Sequence, residues 1–197
     1  MRIFVEAKLE LNLKALIEAS LNLHTDSVDK TVSPKIYQFM MERLKAYYRD
    51  NTVDGNVFEA VLAVSPESPL DFHQRVEALN AFIQQSESSS LIEANKRIAN
   101  MLRDCEADVE VDGSLLLEAS EISLFEATRA VSDQLSGQKD YQLIMTSLVG
   151  LKATIDSFFD NVMVNAEDQD LRQARLALIG RVRMLFLSVA DISYLSS

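Results

Sequence analysis

The stretch that most constrains the fold is 171–189. Its residues Leu171, Leu178, Ile179, Val182, Leu185, Phe186 and Val189 share one face of a helix wheel at about 100° per residue. Arg172, Arg175, Arg181 and Arg183 ride on the same segment, with no acid among them. Arg175 falls inside the apolar face, Arg172 and Arg183 lie near its edge, and Arg181 points elsewhere. A guanidinium on a core-facing stripe needs an acceptor, because an unpaired buried charge is costly. Asp160 and Asp168 are the nearest candidates in sequence, which predicts a structural Arg–Asp clamp between this helix and the preceding one. The other use of Arg175 is a nucleic-acid contact. Upstream, Phe158-Phe159-Asp160-Asn161 reads as the end of that preceding helix. A short polar connection follows, in which Asp168 or Asp170 caps the next helix at the positive end of its dipole.

The rest of the chain supports a helical protein. Five Gly, three Pro and no Trp, without sustained apolar alternation, favour helices over a turn-rich β fold. At 197 residues and 48% apolar, one large domain or two small ones can bury a core. The formal net charge of −11 repels nucleic acid and anionic membranes as a whole, so any nucleic-acid role must rest on local basic patches. Cys105 is the single cysteine, which excludes an internal disulfide and fits a reducing compartment. No apolar run approaches the ~20 residues that span a bilayer. The start, Met1-Arg2-Ile3-Phe4-Val5-Glu6, turns charged too soon for a signal peptide. It enters helix-like sequence directly, as a piece of a longer chain would.

Taken in order, helical spacing predicts a helix from about Leu13 to Leu23 and a break at Thr25-Asp26-Ser27. A helix then runs from Ser33-Pro34 to about Asp50. Its expected core face is Ile36, Phe39, Met40, Leu44 and Tyr47, with Arg43, Lys45 and Arg49 as a basic edge. A short helix follows at Val57–Val64 and another helix at about Pro69–Gln84, the latter with Ser68 as N-cap and Pro at N1. Ser86-Glu87-Ser88-Ser89-Ser90 is the most polar passage and the expected subdomain boundary. The helix predicted from Leu91 to Asp104 turns Leu91, Ile98, Met101 and Leu102 one way, with Asn95 among them. Lys96, Asn100 and Arg103 face the other way, beside Arg97. An Asn on an apolar face is most simply a buried group bonded to a neighbour's backbone. The acids of 104–112 read as a solvated loop. Helices follow at Ser120–Leu135 and Asp140–Leu148, with Gly137 in the turn between, and at Thr154–Asn161.

Catalytic signatures are absent from the sequence. His24 and His73 are its two histidines, neither followed by Asp and neither with a Cys or carboxylate at metal-ligand spacing that rises above chance. There is no G-x-x-x-x-G-K-[ST] and no G-x-G-x-x-G. The residues alone give an acidic all-α binding or assembly module.

Several blocks go further. Met41-Glu42-Arg43-Leu44-Lys45-Ala46-Tyr47-Tyr48-Arg49-Asp50, Val57-Phe58-Glu59-Ala60-Val61-Leu62-Ala63, Ser68-Pro69-Leu70-Asp71-Phe72 and Ala94-Asn95-Lys96-Arg97-Ile98-Ala99-Asn100 resemble the bacterial glycyl-tRNA synthetase β subunits. So do Phe159-Asp160-Asn161-Val162-Met163-Val164 and the closing Leu187-Ser188-Val189-Ala190-Asp191-Ile192-Ser193. The likeness is to the C-terminal end of that longer subunit. It implies an all-α helical bundle: residues 1–85 as the end of the subunit's helical body and 91–197 as a DALR-type anticodon-binding domain. It also implies a cytoplasmic protein away from membranes, with glycine tRNA, the α subunit and the remainder of the β subunit as partners. No cofactor belongs to this part, since ATP and Mg are used through the α subunit. Glycine anticodons share two cytosines, whose amino donor and ring acceptors suit carboxylates, Arg and Asn. Lys96, Arg97, Asn100, Arg172 and Arg183 are the expected RNA contacts. Asn95, Asp160, Asp168 and Arg175 are the expected structural supports. The competing expectation is a subunit-assembly module with little RNA contact.

Overall fold

A computed structural model describes residues 2–23, 29–103 and 110–196. Helices account for all regular secondary structure among them: α1 (Arg2–Glu6), α2 (Leu13–Leu23), α3 (Ser33–Asp50), α4 (Gly55–Ala63), α5 (Pro69–Ile83), α6 (Ser88–Met101), α7 (Ala119–Leu135), α8 (Tyr141–Val149), α9 (Lys152–Asn161) and α10 (Gln169–Leu187), with short 3₁₀ turns between some of them. The all-α expectation holds. The break at Thr25-Asp26-Ser27, His24, Cys105 and most of the acidic loop lie outside the described residues.

Local chemistry starts many of these helices. Asp54, Ser68, Asp140 and Asp168 each accept a backbone N–H from the first turn of α4, α5, α8 and α10, meeting donors that the helix itself cannot use. Pro69 occupies the first turn of α5, where its missing N–H costs nothing. Asp168, not Asp170, caps α10, with its Oδ1 2.9 Å from Asp170 N and 3.0 Å from Leu171 N.

α10 is the central rod. It packs against α6, α7 and α8, and Ala174 to Gly180 are all buried. Burial therefore wraps the helix there instead of following one stripe, as expected for a helix with neighbours on several sides. α5 packs on α4 and α8, α7 on α9, and α2 on α3. Phe58, Phe72 and Phe82 from the first half share one continuous core with Leu91, Ile98, Phe158 and Phe186 from the second. The turn Ile192–Tyr194 closes the bundle against α4 and α6, and Asp191 N donates to Ala60 O at 2.9 Å.

Two expectations need correction. At the serine-rich passage a four-residue turn joins α5 to α6, and α6 begins at Ser88 and ends at Met101, rather than spanning Leu91 to Asp104. The reason is tertiary, since Ser88 is buried and its Oγ donates to Gln85 O at 2.8 Å. The inner face of α3 is Met41, Leu44 and Tyr48, whereas Phe39 is 54% exposed. Tyr48 is drawn inward by Phe58 and Phe72, with ring centroids 5.9 and 5.7 Å away. His73 Nδ1 meets the Tyr48 hydroxyl at 3.0 Å.

Candidate nucleic-acid interface

The residues singled out by sequence fall into two groups. The first is on α6 and α9. Asn95 is 1% exposed and donates from Nδ2 to Leu91 O at 3.1 Å, a carbonyl of its own helix rather than of a neighbour. Lys96, Arg97 and Asn100 lie on the outer side, Lys96 half-buried and the other two exposed. Asn100 accepts from Arg103 at 3.0 Å. Arg97 lays its guanidinium over the Phe159 ring, 4.3 Å from the centroid. Its donors meet no acceptor among the described residues, and neither do those of Lys96.

Asp160 departs from its expected place. It does not clamp Arg175. It is exposed at the end of α9, its carboxylate without a hydrogen bond among the described residues, and it lines a cleft with Ser90, Glu93, Arg97, Asp156 and Phe159. The wall of that cleft is built by Asp156, which accepts from Ser90 Oγ at 3.1 Å and from Lys152 Nζ at 2.5 Å. The carboxylate in turn pushes the Lys152 ammonium upward in pKa. Phe159 and Glu93 had escaped the sequence reading. Glu93 and Arg97 at i, i+4 spacing were the available signal.

The second group is on α10. Arg175 is 6% exposed and its Nε donates to Oε1 of Glu121, which is 0% exposed, at 2.5 Å. Its other nitrogens donate to Met163 O at 2.7 Å and Glu118 Oε1 at 3.5 Å. The expected clamp exists in kind but not in partners: the acids come from the start of α7, 54 residues away for Glu121. Asp160 and Asp168 are held elsewhere, one at the α9 cleft and the other at the α10 cap. Glu121 Oε2 also accepts from Leu117 N and Glu118 N, at 2.9 and 2.8 Å. A single buried carboxylate thus fixes α7, α10 and, through Arg175, the α9–α10 connection.

Arg172 is exposed and its guanidinium meets no acceptor among the described residues. Arg183 differs. It forks onto Asp191, with N–O distances of 2.6 and 3.2 Å, and Asp191 in turn accepts from Ser193 N and Oγ. Arg172 and Arg183 share a helix face but stand roughly 16 Å apart along the axis, from 1.5 Å of rise per residue. Arg97 and Asp160 are brought together, and no contact among the described residues joins Arg172 or Arg183 to the α6 group.

This surface can hold an anion or a base edge, and nothing in it forms a nucleophile–base pair. No group of three His, Cys, Asp or Glu among the described residues can bind a metal ion. No described helix is long and apolar enough to cross a membrane.

The DALR anticodon binding domain model matches residues 91–192. Over 201 aligned positions the chain is 40% identical to the glycine–tRNA ligase beta subunit of Pseudomonas aeruginosa PAO1. It is 41% identical over 200 positions to that of Haemophilus influenzae PittEE. The Mannheimia succiniciproducens protein of the same name is 40% identical over 201. Each alignment covers 99% of this chain, which spans 29% of the length of these relatives.

Proposed function

The chain belongs to the DALR anticodon-binding domain family, and from that premise we propose that it binds the anticodon loop of glycine tRNA as part of a glycine–tRNA ligase beta subunit. The observation that carries this is a group of cations, Lys96, Arg97 and Arg172 among them, that lie on the outer side of helices in the matched segment and meet no acceptor among the described residues. With Asn100 they form the proposed RNA contacts. Arg183 is a support, since its fork is spent on Asp191. Asn95, Asp168 and Arg175 hold the helices that present them.

The chain carries −11 overall, so attraction must come from phosphates meeting such cations as Lys96 and Arg172 at short range. Such binding is weakened by salt. Partners in this reading are the tRNA, the alpha subunit and the rest of the beta subunit, in the cytoplasm. ATP and magnesium serve glycine activation on the alpha subunit.

The test is filter binding of the 197-residue chain to glycine tRNA and to a second tRNA at two salt concentrations. Preferential retention that falls with salt is expected. Arg172→Ala should reduce the salt slope by about one contact, with an unchanged circular dichroism spectrum. Equal retention of both tRNAs, or none, overturns the proposal. One observation favours assembly as a second role. Phe39 on α3 and Leu16 and Leu23 on the adjoining α2 are exposed large apolar side chains. Exposed apolar side chains on neighbouring helices suit a surface that another part of the protein covers.

A further inference from the structure

The α6–α9 cleft is not explained by phosphate binding. Its volume is about 360 Å³, at the small end for a ligand site. Among the described residues its charges without a partner are the Arg97 guanidinium and the Asp160 and Glu93 carboxylates, because Asp156 is occupied by Lys152 and Ser90. Two free acids against one free cation oppose a phosphate there. The same cleft is thus lined by an acceptor and a donor fork, with an aromatic ring behind the fork.

We infer that this cleft takes one unstacked cytosine of the RNA loop and rejects uracil, an assignment that rests on the anticodon binding proposed above. The 4-amino group of cytosine donates to the Asp160 carboxylate. The adjacent N3 and O2 accept from the planar Arg97 fork. Phe159, 4.3 Å from the guanidinium, holds that fork flat and leaves its other side open to the loop. Glu93 borders the cleft one helical turn before Arg97. Uracil turns O4 toward Asp160, setting acceptor against acceptor. Guanine does the same with O6. Adenine offers an amino group and one ring nitrogen, but no second acceptor for the fork. Recognition of single-stranded bases by their Watson–Crick edges and by guanidinium planes is the general mode for RNA loops.

The 197-residue chain is titrated with a glycine anticodon stem-loop whose loop cytosines are replaced one at a time. The replacements are uracil and pyrimidin-2-one, which lacks only the 4-amino group. At one loop position both should weaken binding by about tenfold. Asp160→Asn should close the gap between cytosine and uracil at that position alone, because an amide can turn its NH₂ toward O4. Arg97→Ala should weaken the cytosine loop and leave the uracil loop little changed. If the loop binds but no position discriminates, or the gap survives Asp160→Asn, the cleft assignment is overturned and anticodon binding stands. If no stem-loop binds at all, both are overturned.

Discussion

Arg175 shows what a single residue reveals before the fold is known. Helical spacing places it on a core-facing stripe and demands an acceptor. It does not say which acid supplies one, because proximity along the chain is a poor guide to proximity in space. Glu121 is 54 residues away, and its signal in sequence was only that of an acid in the first turn of a helix. Removing one member of a buried pair leaves the other charge uncompensated. Arg175→Met should therefore destabilise the chain by about 3–5 kcal/mol, read from urea midpoints. Adding Glu121→Leu should cost less than the sum of the two single changes. Recovery should stay incomplete, since Leu117 N and Glu118 N also lose their acceptor. Additive losses would show that the pair is not coupled.

At the scale of elements, what was legible was local. Ser68-Pro69, Asp140 and Asp168 mark helix starts because a cap needs only its own first turn. Asp168→Ala should lower stability by about 1 kcal/mol, with a smaller loss for Asp170→Ala, whose charge faces the same dipole without capping it. Thermal melts of the two variants check the order. What was not legible was settled by neighbours. The apolar residues of α3 fit two faces, and only packing against Phe58 and Phe72 turns Tyr48 inward and Phe39 outward. The start of α6 was hidden because Ser88 is polar by composition yet buried by its bond to Gln85 O. In the candidate site, the basic face of α6 was visible from spacing, whereas the meeting of Arg97 with Phe159 and Asp160 required knowing how α9 lies.

At the scale of the whole molecule, the two halves are tied by polar bonds as well as by the shared core. Arg75 Nε donates to Asp71 at 2.9 Å, and its NH1 donates to Ser188 O and Val189 O beyond α10. Tyr141 on α8 donates to the other oxygen of Asp71 at 2.5 Å, with the Arg75 guanidinium over its ring. Burial first, then the bond to Asp71, pushes the Tyr141 hydroxyl up to about 12. Burial likewise holds Tyr37, whose hydroxyl donates to Pro66 O, at about 12, and it raises Tyr48 as well. An unfolded tyrosine ionises near 10, so the folded chain keeps protons that the unfolded chain releases. This contribution to stability is complete below about pH 10 and is lost as pH rises through about 12. Because these tyrosines lie in α3 and α8 and touch one core, helix loss by circular dichroism and tyrosinate absorbance should rise together in a single step within that window. Tyr141→Phe removes one of the shifted groups and the bond to Asp71. It should lower stability at neutral pH and flatten the alkaline fall. Two separated steps, one for each half of the chain, would contradict the shared core.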